Sequence, residues 1–522
     1  MKLPAYCYRL FSMIILIFVL VLTIVRARHQ DITHDEAWIL VHHIVGGPAD
    51  ILKYDTSNHV FFNLLAAASV HLFGLSEFTL RLPSILGAML YLAAAYYTGK
   101  FMFDGSVLFP LTVALLTLNP TITDFMCAAR GYGMGVAFLL LGMLFLAHAA
   151  ESVDSFFESP SCRRWSIAAA LACAFSFGSN LTNLVPVFAL GVSWSLCVLL
   201  ASKMLQQSIW RGLEFLAKYF VAPGVLLGLA ILWPFLIQIR VSQFDFGHDH
   251  RLGSLLDVFN ASFLYKWTDD SYNSLGGLPP MPHSWQARVS NVGCLFVVPV
   301  LLLVILMEAI RAFRPPSAKT SRARTRLQIF CGASILSVAF VEIMHRWLHT
   351  PYPINRTCLY VVPLFTVTVL TILRDVSDWP NFSWLKPVGL FLALLIAADY
   401  ALALHHTYFR YTEYDRSSRE LFQAIQSDAQ SRGLASARIG GTWWYQPEID
   451  FYRIMYKASW LQPYDLKDPS HPQFLQAKNS LQPIDYDYFL CTSQDSPDFD
   501  GRPVRKLFGD KVTGLTAVAI GW

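Results

Sequence analysis

The sequence predicts a multi-pass α-helical membrane protein of about 11 transmembrane helices with a small C-terminal α/β soluble domain. Three observations carry that prediction. Of 522 residues 54% are apolar and only 15% charged, with a mean hydropathy of +0.42, more than a soluble domain tolerates. Apolar segments close to the roughly 20 residues a helix needs to cross hydrocarbon recur along the first four fifths of the chain. From His405 onward the composition turns polar and stays so.

The apolar segments fall near 10–25, 79–99, 105–123, 132–150, 165–179, 183–201, 219–238, 289–309, 328–344, 357–373 and 387–404. Lys2 and Arg9 precede the first, and Val25 and Ala27 resemble a cleavage site, but the spans that follow favour an uncleaved anchor. Residues 58–74 are decided by the Lys/Arg bias of short loops. If this stretch does not span, Lys100, Arg163-Arg164, Lys203, Arg211, Lys218, Arg374, Lys386 and the cluster Arg311, Arg314, Lys319, Arg322, Arg324, Arg326 share the cytoplasmic side with Lys2 and Arg9. It is therefore read as an amphipathic helix at the outer surface, with His59, Asn63 and His71 along one side in four-residue steps.

This topology divides the chain into 1–404, a membrane domain, and 405–522, an outer-face α/β domain. It exports 26–78 as a first outer loop, a turn at 124–131, a long loop at 239–288, a turn at 345–356 and the tail. In the tail, Ser417-Ser418 opens and Gly433 closes a helical pattern at 417–431, and short apolar runs at 437–443, 486–491 and 514–520 read as strands. The formal charge of +4 sits largely in cytoplasmic loops, so it reports orientation and implies no nucleic-acid partner. The nine cysteines are scattered, with neither metal spacing nor a disulfide framework.

The most informative residues are the acidic pair Asp35-Glu36 in Thr33-His34-Asp35-Glu36-Ala37-Trp38, just past the first apolar segment. Carboxylates at a membrane face are functional candidates. A second reading stands beside the first: Thr33 and Glu36 have the spacing of a capping box, and Asp35 complements a helix N-terminus.

The motifs His34-Asp35-Glu36-Ala37, Ser57-Asn58-His59, Leu72-Phe73-Gly74 with Ser76-Glu77, Arg81-Leu82-Pro83-Ser84 and Ala129-Arg130-Gly131-Tyr132 follow one another in order. In that order the set resembles the GT-C membrane glycosyltransferases, in the branch of the protein O-mannosyltransferases, the lipid A aminoarabinose transferase and the rhizobial galacturonosyltransferases. The resemblance covers about residues 10–370 and is densest over 30–135. The Lys-Pro-Pro-Leu of the aminoarabinose branch is absent, with Asn58-His59 in its place. The resemblance implies a GT-C fold and transfer of a sugar from a polyprenyl-phosphate-linked donor to a lipid, glycan or protein acceptor on the outer (periplasmic or luminal) face. It further implies inversion in a single displacement.

Such a transfer needs a base for the acceptor proton and positive charge for the departing phosphate. Asp35 is the candidate base, while Glu36 stays open between catalysis and capping. Arg356, in His345-Arg346-x-x-His349-Thr350-Pro351-Tyr352-Pro353-Ile354-Asn355-Arg356, is the first candidate for the phosphate and Arg130 the second. Both sit at expected membrane faces, where arginine also snorkels to headgroups. Asp124, expected to end the third span, His59 and Tyr132 are candidate substrate contacts.

His248, Asp249 and His250 are metal-ligating types that suit a divalent ion, with no second cluster spaced to complete a site. No cofactor is otherwise implied. A bacterial inner membrane, with the site facing the periplasm, is the expected location. The competing class is a transporter or flippase for a lipid-linked or anionic solute, which would place ionisable residues in mid-span.

Overall fold

The computed structural model describes residues 4–55, 57–238, 247–263, 288, 290–313, 322–376, 385–404, 415–464, 486–491, 499, 501–510 and 514–521. Most of the expected 239–288 loop lies outside the described residues, as do Arg314 and Lys319 of the basic cluster. The chain forms two compact units, each assembled from three segments: 1–25, 52–65 and 82–405 in the first, and 26–51, 66–81 and 406–522 in the second. The sequence boundary at 404/405 placed the loop 26–78 with the membrane helices, whereas 26–51 and 66–81 pack with the tail.

Among the described residues eight helices are long and apolar enough to cross a membrane: Ala5–His29, Glu77–Phe103, Gly131–Ser152, Leu181–Met204, Ile209–Trp233, Ser290–Phe313, Arg322–Leu348 and Asn355–Arg374. The expected segment 105–123 is not one straight span. It consists of Leu108–Thr117 and Pro120–Cys127, bent by 58° at the break. Asn119 and Pro120 cause the bend: Pro120 cannot continue the preceding hydrogen-bond ladder, and extended Asn119 caps the new helix by accepting from the Ile122 amide at 3.0 Å. Tyr91 donates its hydroxyl to the Leu116 carbonyl at 2.9 Å, satisfying an acceptor freed at the helix end. The expected segments 165–179 and 387–404 lie in Pro160–Ser179 and Leu385–Ala403. Arg163, Arg164 and many small polar residues keep the former below spanning apolarity, and the apolar part of the latter is too short.

Residues 60–73 form a 14-residue helix, too short to cross hydrocarbon at 1.5 Å per residue. The expected row His59, Asn63, His71 does not share one environment. His59 and Asn63 are buried, and His71 is exposed.

The second unit holds a four-stranded sheet of order β1-β2-β4-β3, with β1 Ile439–Gly441, β2 Tyr488–Cys491, β3 Val504–Gly509 and β4 Thr516–Ile520. β1 and β2 are parallel, and the other pairs are antiparallel. Parallel neighbours need a crossover, and helix Gln446–Met455 lies in that connection. Helix Ser418–Ser431 buries Leu421, Phe422, Ile425 and Ala429, a one-sided stripe of helical period. Gly433, with φ of +62°, ends it as expected. β3 and Gln446–Met455 escaped sequence reading. β3 is an edge strand whose Arg505 and Lys506 are exposed and whose pairing with β4 is bulged, so it lacks the apolar alternation that marks a strand.

Candidate active site

The acidic pair opens the short helix His34–Ile39 in the second unit. Thr33 is its N-cap, accepting from the Glu36 amide at 3.3 Å, while Glu36 Oε2 accepts from the Thr33 amide at 3.0 Å. The capping box is therefore formed. Glu36 does more than cap. Its side chain is fully buried against an equally buried Arg81, whose Nε donates to Oε1 at 2.8 Å and Nη2 to Oε2 at 2.6 Å. Arg81 also donates to the carbonyls of Ala27 (3.2 Å), Gln30 (2.6 Å) and Asp31 (2.7 Å). All five guanidinium N–H groups are thereby used, which is the condition under which a buried ion pair holds together. Asp35, between buried His34 and buried Glu36, is partly exposed.

The surrounding side chains anchor this turn to the tail. The His34 amide donates to Asp415 Oδ2 at 2.8 Å, and its ring Nδ1 lies 2.6 Å from the Trp444 carbonyl and 3.6 Å from Glu448 Oε2. The imidazole stacks on Trp444 at 5.0 Å and on Trp38 at 6.1 Å. Burial alone would lower the His34 pKa, but the Glu448 carboxylate and the Trp444 carbonyl override it and the net shift is upward. Arg419 bridges Asp31 and Glu77, and Tyr452 donates to Glu77 at 2.6 Å. Burial raises Asp31 to about 6 against the opposing pull of Arg419.

In the first unit, several of the remaining candidates meet at the extended link between helices Pro120–Cys127 and Gly131–Ala149. Ser84 donates to the Ala128 carbonyl at 2.5 Å, holding the extended link after Pro120–Cys127. Arg130, buried and extended, stands at the start of Gly131–Ala149 with its guanidinium 5.7 Å from the Tyr132 ring centre. Tyr132 in turn contacts His59 and Phe125, each at 4.9 Å between ring centres. Gly131 is required there, because an added Cβ would stand 1.9 Å from the Ser179 carbonyl oxygen and 2.9 Å from His59 Cβ. Asp124, expected at a span end, instead lies buried inside Pro120–Cys127, its carbonyl accepting from the Ala128 amide at 3.1 Å. Asn58 accepts from Asn63 Nδ2 at 2.8 Å and donates to the Lys53 carbonyl at 2.7 Å. Arg356 lies half-buried on the single turn Asn355–Cys358. His248 pairs through its backbone with Tyr352 and through Nε2 with Asp257 at 3.2 Å. Among the described residues no group of three or more His, Cys, Asp or Glu is placed to hold a metal ion.

No family model matches the chain, and no curated protein matches it. Solved structures do. The chain is similar to ArnT from Cupriavidus metallidurans bound to undecaprenyl phosphate, at 13% identity and a TM-score of 0.48, over 98% of this chain and 97% of that one. It is similar to the same protein in its apo state at 13% identity and a TM-score of 0.47, over 97% of each chain. A third likeness is to the archaeal oligosaccharyltransferase AglB from Archaeoglobus fulgidus in complex with an inhibitory peptide and a dolichol-phosphate. There the identity is 11% and the TM-score 0.43, over 84% of this chain and 63% of that one.

Sequence reading singled out Asp35 and Glu36 but passed over the groups that hold them. His34, Glu77 and Arg81 stood in the ordered motifs without a role. Asp415, Arg419, Glu448 and Tyr452 lie more than three hundred residues away, and nothing in the local sequence links them to the acidic turn.

Proposed function

We propose that this chain is a GT-C type integral membrane glycosyltransferase that moves a sugar from a polyprenyl-phosphate donor to an acceptor on the outer face, with inversion. One observation carries the reading: the capping box and the five-donor Arg81 clamp immobilise Glu36 and leave its neighbour Asp35 partly exposed on a fixed turn. Glu36 is then a positioning residue and Asp35 the base. The Asp35 carboxylate takes the proton of the acceptor hydroxyl or amine as the acceptor atom bonds to the anomeric carbon. The anomeric C–O bond to phosphate breaks, and its electron pair leaves on the phosphate oxygen. Arg356 and Arg130 are the proposed partners of that growing negative charge, where bidentate donors act most strongly. His59, Asp124 and Tyr132 are the proposed substrate contacts near Arg130. No metal enters this scheme.

The experiment is mass spectrometry of lipid-linked sugars and surface glycans from cells with and without the gene. Accumulation of one carrier-linked sugar, with loss of that sugar from a surface product, supports transfer and identifies the donor. A transporter or flippase would instead redistribute the lipid-linked sugar between membrane faces without any purified transfer activity.

A further inference from the structure

Behind His34 lies a buried acid pair that the scheme above does not use. Glu448, on helix Gln446–Met455, is fully buried, and Asp415, before helix Ser418–Ser431, is 1% exposed. We propose that Glu448, backed by Asp415, is a positioning residue for the transfer, acting through the imidazolium of His34 to fix the turn that presents Asp35. The proposal rests on the reading of Asp35 as base.

The geometry runs in one direction. His34 Nδ1 lies 2.6 Å from the Trp444 carbonyl, which can only accept, so Nδ1 carries a hydrogen in either ring form. The ring stacks on the indole of Trp444 and more loosely on that of Trp38, with Trp443 edge-on at 5.5 Å. An imidazolium so placed gains from the Trp444 indole face and supplies the counter-charge for Glu448, 3.6 Å away. A carboxylate cut off from water without such a charge is costly.

Asp415 completes the set. Its Oδ2 accepts the His34 amide at 2.8 Å, and burial together with the neighbouring Glu448 charge holds its carboxyl well above the usual range. The groups facing His34 are Asp35 from its own helix, Glu448 from Gln446–Met455, Asp415 from the preceding segment and the Trp444 carbonyl from the turn Trp443–Tyr445. Loss of the His34 proton leaves a buried, uncompensated carboxylate against the first turn of the Asp35 helix. Turnover then falls as pH rises.

The test is kcat against pH in the purified full chain, wild type and Glu448→Gln, with KM for the lipid-linked donor measured alongside. The wild type is expected to lose rate above the raised His34 pKa. In Glu448→Gln that limb moves down by about 1 pH unit or more, the scale of a lost neighbouring charge, with KM unchanged. A merely structural role lowers kcat by one factor at every pH and leaves the limb in place, which overturns the proposal. Independently of catalysis, a tryptophan-fluorescence pH titration, taken as wild type minus His34→Gln, reads the imidazolium quenching its stacked indoles. Its midpoint should fall by the same amount in Glu448→Gln, and an unmoved midpoint also overturns the proposal. Asp35→Asn in the same assay separates the two claims: if it is inactive and the limb does not move, this inference alone fails. Near-normal turnover of Asp35→Asn removes both.

Discussion

Arg81→Lys tests how the acidic turn is held. Arginine delivers two N–H bonds to Glu36 and three to the carbonyls of Ala27, Gln30 and Asp31 from one planar group with no exposed surface. Lysine keeps the charge but has three donors on a single nitrogen. At least two buried acceptors lose their partner, each costing about 1–3 kcal/mol, so the loss should be about 2–6 kcal/mol. This brackets the roughly 3–5 kcal/mol expected when one member of a buried pair is removed outright. The assay is thermal unfolding in detergent, followed by near-UV circular dichroism, where a loss of this size lowers the midpoint by on the order of 10 °C. Arg81→Met should cost more than Arg81→Met with Glu36→Met, because removing both charges leaves none stranded. A Lys variant as stable as wild type, or a double variant worse than the single, would refute the clamp.

Other substitutions probe separate parts of the structure. Gly131→Ala drives a Cβ into the Ser179 carbonyl and His59, so yield of folded protein should fall and stability read from thermal melts should drop by more than the usual about 1–3 kcal/mol of overpacking. Asp31 is raised to about 6 by burial, so the folded form binds its proton more tightly than the unfolded chain does. Stability should fall as pH rises from about 4 through about 6, and Asp31→Asn should flatten that slope in melts recorded across the window. For Arg356, initial rates at saturating donor should fall in the order wild type, Arg356→Lys, Arg356→Ala, since Lys keeps charge but loses the two-point grip. A Lys variant as fast as wild type removes Arg356 from the site.

Helix placement was legible because hydropathy over twenty residues is a property of the local sequence, and eight of the eleven expected segments fall on helices long and apolar enough to cross a membrane among the described residues. Their continuity was less legible. The 58° break at Asn119-Pro120 was announced by the proline, yet the apolar run on either side masked it, and the misplacement of Asp124 at a span end followed from that. At the acidic turn, Thr33 and Glu36 declared the capping box by spacing alone. The partner that makes Glu36 structural, Arg81, is forty-five residues away, and only the ordered motifs hinted that Arg-Leu-Pro-Ser belonged with it. Pairings such as His34 with Asp415 and Glu448 depend on a fold that returns the tail to residues 26–51, and no local pattern encodes such a return.

The central claim is that Asp35 removes the acceptor proton while Glu36 and Arg81 hold it in place. Its most direct test is the initial rate of sugar transfer by purified, equally folded Asp35→Asn at saturating polyprenyl-phosphate donor. Asn preserves shape and first-turn geometry but cannot take the proton, so the rate should fall by about a hundredfold or more with donor binding and melting point unchanged. Transfer within a few-fold of wild type would contradict the account and leave Asp35 as a helix-end carboxylate.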